Sequence, residues 1–306
     1  MTAFGAVLAL AGCSAGGSDG AGGSTEPTVT STPTMLRTAD VSFPMDAYEA
    51  TAEQQVTLAR AQGVLTSRCM ARLGFTYQAP ERPVSSASGS NARVFGLVDP
   101  DTAARYGYLN PGTANAPVRA ATGSLTEAEQ LALSGEDDLD PADVPANLEE
   151  AEKSGGSDVT FNGERVPVGG CVRESYLKLY ARKANEVDIL FVFNLKSDAE
   201  SKAREDSRVR AVDKRWSSCM AKAGYELTGP VNAVKELGLT ESDLSSPRAV
   251  TAAKADVACK QRVNLVGVRY AVTTAYQRRL IEENAQTLSL AKEQLESRLL
   301  LAAELT

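Results

Sequence analysis

The setting of the cysteines constrains this chain more than any other feature. Cys69 opens CMARLGF and Cys219 opens CMAKAGY, the same seven-residue phrase written twice, 150 positions apart (219 − 69). Ahead of the second copy, Val209, Val212, Trp216, Cys219 and Ala223 recur at helical intervals, one stripe of an amphipathic helix. Gly224 suits the left-handed residue just past a helix end, and that cap turns Tyr225 back onto Met220. Met70, Gly74 and Phe75 repeat the device, and Pro80 and Pro230 stand at the same offset, stopping each helix from resuming. Each copy therefore predicts a capped helix terminus with a hydrophobic clasp and one cysteine on the buried side. The first helix has the weaker stripe: Gln62 and Thr66 replace Val212 and Trp216, and Leu58, Leu65 and Met70 supply its apolar surface. We read two degenerate repeats, about 52–171 and 196–259, descended from one duplication.

Cys171 and Cys259 complete a set of four. An even set in an exported chain points to disulfides, and sequence alone permits three connectivities. If each repeat closes its own bridge, Cys69 pairs with Cys171 and Cys219 with Cys259. In the chain-entropy description each bridge then contributes about 4 to 5 kcal/mol. Both partners are expected near the start of a long helical stretch. The alternative is thiolate-bound metal, but structural zinc takes close pairs such as C-x-x-C, and these cysteines are scattered. Neither a metal nor any other cofactor is expected. Histidine is absent from all 306 residues, which removes Ser-His-Asp, Cys-His and His-ligated metal chemistry. A net charge of −7 argues against nucleic acid, whose binding needs a basic surface to displace counterions.

The N-terminus reads as an address. MTAFGAVLALAGC places an apolar run and small residues before Cys13, a signal-peptide end. Leu10-Ala11-Gly12-Cys13 resembles a bacterial lipobox. That resemblance implies residues 1–12 as a leader and Cys13 as a lipidated first residue of the mature chain, holding it to the membrane. No Lys or Arg precedes the run, so the true start is expected upstream. Residues 13–44, rich in Gly, Ser, Thr and Pro, are expected to form a flexible tether. Residues 45–306 are expected to form the extracytoplasmic domain. Gly16-Gly17-Ser18-Asp19-Gly20 matches G-x-S-x-G in letters only, because that elbow needs a flanking strand, a helix and a histidine.

The domain reads as mainly α, with an irregular, loop-rich middle and a long C-terminal helix. In the middle, Thr126 and Glu129 form a capping box closed by Gly135, and Asn162-Gly163 marks a hairpin. DILFVFNL at 188–195 suits a buried strand or a helix, and its flanks favour helix. The last helix is expected to start at Ser246-Pro247 and run to near Leu305 without a proline. Tyr276, Leu280, Leu288, Leu295 and Leu299 mark its apolar stripe, and Arg278/Glu282 and Arg279/Glu283 are expected as i,i+4 pairs. That stripe suits a core helix or a surface for a protein or cell-wall partner.

No catalytic residue is assigned. Ser175-Tyr176-Leu177-Lys178 matches the S-x-x-K of penicillin-binding proteins, but the companion S-D-N and K-T-G strings are absent. Asp137, Asp138 and Asp140 lack the further ligands and loop glycine of a calcium site. At LALAGC, the two CMAxxG[F/Y] phrases, GGCVRES and ADVACK, the chain resembles uncharacterised disulfide-containing lipoproteins of actinomycete bacteria, roughly from Met45 to Asn284. The resemblance implies export and anchoring and brings no catalytic residues. The expected role is a non-catalytic binding, scaffolding or sensory accessory at the cell envelope. The alternatives are a cell-wall hydrolase working through carboxylates and a solute-binding lipoprotein.

Overall fold

The computed structural model of the protein describes residues 26–34, 41–80, 91, 94–114 and 125–306. The expected leader, the lipidation residue Cys13 and the Gly16–Gly20 string lie outside them. The fold is mainly α. A 3-10 turn, Pro44–Tyr48, leads into α1 (Ala52–Arg72). The middle holds short pieces: α2 (Pro100–Tyr106), α3 (Pro111–Ala114), α4 (Glu127–Ser134), α5 (Leu148–Ser154) and the strands β1 (Thr160–Phe161) and β2 (Glu164–Arg165). There follow α6 (Gly170–Tyr180), α7 (Phe191–Glu205), α8 (Ser207–Lys222), α9 (Ala233–Glu236), α10 (Pro247–Arg262), α11 (Leu265–Glu283) and α12 (Ala285–Leu305).

The local signals act where the sequence puts them. Thr51 and Gln54 exchange hydrogen bonds of 2.8 and 3.2 Å as a capping box for α1. Thr126 and Glu129 do the same for α4, and Gly135 closes it. At the end of α1, Gly74 takes φ +87°. Its N–H donates to the Ala71 carbonyl at 3.0 Å, and the Phe75 N–H donates to Met70 at 2.9 Å. At the end of α8, Gly224 takes φ +90°, and Gly224 and Tyr225 donate to Ala221 and Met220, both at 3.0 Å. Both ends are Schellman caps. Asn162 and Gly163, both at positive φ, turn β1 into β2. The sequence reading misses α2, although Asp99-Pro100 is a good start: the Asp99 carboxylate accepts the Thr102 N–H at 2.6 Å.

The helices pack as two halves joined by the passage from α11 into α12. In one half α1 lies between α6 and α12, and α4 packs on α6. In the other, α11 packs on α7 and α8, and α10 packs on α8 and α2. α11 is central: Leu265, Val272, Tyr276, Gln277 and Leu280 are all buried. The Gln277 carboxamide oxygen accepts the Met45 N–H at 3.0 Å, fastening the 3-10 turn to it.

Three expectations need correction. First, the expected single helix from Pro247 to Leu305 is three helices. Asn264 adopts left-handed φ +54° between α10 and α11, a conformation asparagine tolerates better than most residues. At Asn284 the side-chain amide donates to the Leu280 carbonyl at 2.8 Å, and α12 sets off anew. Arg279 lies over the Tyr276 ring at 5.8 Å, and among the described residues neither Arg278 nor Arg279 closes an ion pair. Second, Cys171 does stand at the start of α6, but Cys259 lies in the last turn of α10. Third, the tether expected over 13–44 is in part a docked strap. The Glu26 carboxylate accepts the Ser207 N–H at 2.6 Å, and Arg208 donates to the Pro27 carbonyl at 2.9 Å. Asn264 donates to the Pro33 carbonyl at 3.0 Å, and a Cβ at Gly267 would stand 1.9 Å from that oxygen. The missing side chain of Gly267 is what lets the strap lie down. Val41, Phe43 and Met45 follow it into the core.

Candidate functional site

A groove of about 700 Å³ opens between α1, α6, α7 and α12, within the usual size range of ligand pockets. From α6 come Tyr176 and Tyr180, one turn apart, with ring centroids separated by 5.3 Å. From α12 come Ala291, Gln294, Leu295 and Arg298. From α7 and the turn before it come Asp188, Ile189, Val192, Phe193 and Lys196. The stretch DILFVFNL, for which its flanks favour helix, enters α7 at Phe191 and leaves Phe193 62% and Leu190 55% exposed. In the turn before α7 the Asp188 carboxylate accepts the Leu190 N–H at 2.6 Å, and the helix that follows buries Val192 while Phe193 faces outward.

Charge is unevenly settled in the groove. The Lys196 ammonium meets Glu49 at 2.5 Å and Asp46 at 3.1 Å. Burial alone would pull its pKa down, but these two carboxylates outweigh that and hold it above the usual value. Arg298 is different. Its guanidinium sits 5.7 Å from the Tyr180 ring. Among the described residues it donates no hydrogen bond and closes no ion pair. Burial lowers its pKa, with Glu186 and the two tyrosines pulling the other way from a distance.

A second polar cluster is sealed. The Asp256 carboxylate accepts the Trp216 indole N–H at 2.9 Å and meets the Lys260 ammonium at 3.1 Å. Lys260 also donates to the Leu97 carbonyl at 2.8 Å. Burial pushes Asp256 up and Lys260 down from their usual values. The Tyr108 hydroxyl lies near the same carboxylate without reaching hydrogen-bond geometry, and burial raises its pKa. Asp256 and Lys260 are 1% and 3% exposed, so no substrate reaches them. The cluster holds α8, α10 and the 94–98 loop in register.

Of the described residues singled out in the sequence, Leu295 of the expected partner stripe and Tyr176 of the S-x-x-K string line the groove, while the cysteines and their clasps lie elsewhere. Cys69 and Cys171 are bonded with Cα atoms 5.6 Å apart, and Cys219 and Cys259 with Cα atoms 5.7 Å apart. Met70 and Phe75 share one core cluster, and Met220 and Tyr225 another. Ser175 is buried, accepting from Thr66 at 2.9 Å and donating to the Val172 carbonyl at 2.8 Å. Lys178 meets Glu174 at 2.5 Å, so the two do not form a nucleophile–lysine pair. Asp137, Asp138 and Asp140 lie on a largely exposed turn, and among the described residues no group of His, Cys, Asp and Glu is placed to hold a metal. The stripe of the last helices turns inward: Leu288 is buried and Leu295 and Leu299 pack against Leu58 and Ala61 of α1. Sequence reasoning missed Arg298, and a signal for it exists. Leu288, Ala291, Leu295, Arg298 and Ala302 fall on one helical face, so a guanidinium interrupts an apolar stripe.

No protein family, curated protein or solved structure matches the chain. The two disulfides point to an oxidising, extracytoplasmic setting. Among the described residues no helix is long and apolar enough to cross a membrane.

Proposed function

We propose that the protein is a lipid-anchored binding module on the outer face of the cytoplasmic membrane, a non-catalytic accessory of the envelope that presents the α1/α6/α7/α12 groove to a ligand. The observation that carries the binding reading is the groove itself, open, rimmed by exposed Phe193 and Ile189, and holding a guanidinium that makes no hydrogen bond or ion pair with the described residues. The Leu10–Cys13 string supports the anchor, and the disulfides support export. The kinship with actinomycete lipoproteins belongs to the same proposal and rests on the same strings.

A hydrolase working through carboxylates has less support. Such chemistry needs an acid with a raised pKa within reach of substrate. Asp256 has the raised pKa but is sealed, and the groove carboxylate Glu49 is tied to Lys196.

Two measurements test the proposal separately. Growth of the host with an alkyne-bearing fatty acid should label the wild-type protein and leave Cys13→Ala unlabelled; equal labelling removes the anchor. A photo-crosslinking residue at position 193 should trap an envelope component in intact cells, while the same residue at position 300, on the opposite exposed face, should not. Identical trapping at both positions removes the groove from the proposal.

A further inference from the structure

The groove's chemistry narrows its ligand. An arginine is among the costliest side chains to take out of water without a partner. In α12 the Arg298 guanidinium occupies a stripe position that leucine or alanine fills elsewhere, and it is half-buried and donates no hydrogen bond to the described residues. Its nearest aromatic neighbour is the Tyr180 ring at 5.7 Å. An exposed lysine–glutamate exchange elsewhere on the surface would cost nothing comparable. A half-buried guanidinium with no hydrogen bond or ion pair to the described residues is explained if an acceptor arrives with the ligand.

We infer that the groove binds a small organic anion, in which a carboxylate or phosphate head meets Arg298 and an apolar body lies against Tyr176, Tyr180, Val192, Phe193 and Leu295. This inference rests on the binding reading above and sharpens it. The geometry of the head group follows from the fork of donors that arginine offers to planar or tetrahedral oxyanions. The apolar body follows from the walls, and a space of about 700 Å³ suits a ligand of that kind more than a bare ion.

The negative charges around the groove do not contradict the inference. Glu49 and Asp46 share the Lys196 ammonium, at 2.5 and 3.1 Å. Asp188 is engaged by the Leu190 N–H at 2.6 Å. Glu200 stands 3.9 Å from Arg204. Glu186 accepts the Arg182 N–H at 3.1 Å and closes no ion pair with Arg298. Among the charged side chains that line the groove, Arg298 is the one with neither a hydrogen bond nor an ion pair to the described residues, with Glu186 acting on it only from a distance.

The test uses the folded protein with both disulfides intact and four probes: 4-phenylbutyrate, 4-phenylbutyl phosphate, the neutral 4-phenylbutanamide and inorganic phosphate. Binding is read by NMR on the tyrosine rings and the arginine side chains. The two anions with an apolar body should saturate. The amide and inorganic phosphate should bind at least about tenfold more weakly, the expected loss for one charge-assisted contact or one apolar body. Arg298→Gln should lower affinity for the anions by roughly 10- to 100-fold and leave the amide unchanged, with Arg298→Lys in between. A difference between the butyrate and the phosphate identifies the head group. Equal binding of amide and anions overturns the anion inference and leaves a binding groove. An absence of saturable shifts for every probe up to about 5 mM, a level at which even millimolar affinity is visible, overturns both.

Discussion

The two stapled helix ends carry the same phrase and the same cap, yet they join helix pairs of opposite sense. Three residues before Cys69, Thr66 bonds Ser175, which lies four residues after Cys171, so α1 and α6 run antiparallel. Three residues before Cys219, Trp216 bonds Asp256, which lies three residues before Cys259, so α8 and α10 meet running the same way. The first bridge spans 102 positions and encloses the whole irregular middle; the second spans 40. The lesson concerns the size of the shared unit. A helix terminus with its glycine, clasp and cysteine repeats, whereas the helix pair does not. The contact one turn below the cysteine also diverges, a pair of hydroxyls in one place and an indole on a buried carboxylate in the other.

The largest effect should come from the bridges. Loop entropy gives about 4.7 kcal/mol for the first and about 3.9 kcal/mol for the second at these spans. Urea unfolding of Cys69→Ala/Cys171→Ala and of Cys219→Ala/Cys259→Ala measures both, and a larger loss from the shorter loop would break the ranking. Next come the contacts below the cysteines. Asp256→Asn leaves the Lys260 ammonium buried without its counter-charge, a loss on the order of 3 to 5 kcal/mol. Thr66→Val removes one neutral hydrogen bond to Ser175 and should cost about 1 kcal/mol. Similar losses for the two variants would mean that the sealed ion pair is no more consequential than the hydroxyl pair. The caps come third. Gly74→Ala and Gly224→Ala each place a side chain at φ near +90°, a backbone cost of roughly 1 to 2 kcal/mol. A Cβ at Gly74 would meet Asn162 at 3.4 Å, while none of the described residues lies within 4 Å of one at Gly224. The first cap should therefore be no cheaper to break than the second.

The smallest effect distinguishes the two ends by pH. Beside the first bridge, burial would raise the Glu174 pKa, but Arg72 at 2.6 Å and Lys178 at 2.5 Å overcome it and hold the carboxyl below its usual value. A lowered folded value means that Glu174 stabilises above its unfolded pKa of about 4.3 and loses that contribution as pH falls through the folded value. Glu174→Gln should flatten the acid side of the stability curve below about pH 4.3, where urea midpoints read it. An unchanged acid limb would mean that the Arg72–Glu174–Lys178 cluster adds nothing to folding.

What can be read from the letters follows from how local the physics is. Caps, the Thr51 and Thr126 starts and the Asn162-Gly163 turn are set by side chains within a few residues, so they are visible without a structure. The division at Asn264 is not. It needs the Pro33 carbonyl, 231 positions away, to receive the asparagine amide. The docking of Glu26–Thr34 is hidden for the same reason: its composition is that of a linker, and its partners are Ser207, Arg208, Asn264 and Gly267. The groove is hidden because its walls come from three separated parts of the chain: α1, the consecutive α6 and α7, and α12. Arg298 alone leaves a trace, as the wrong residue on an otherwise apolar face.

The docked strap also sets a height. If Cys13 carries the lipid, 12 residues, Ser14 to Thr25, lie between the bilayer and the first docked residue, instead of the 31 from Ser14 to Pro44. At about 3.5 Å each, the longest leash shrinks from about 110 Å to about 40 Å. By leaving room for Pro33, Gly267 would help keep Glu26, where the strap meets Ser207, within about 40 Å of the headgroups.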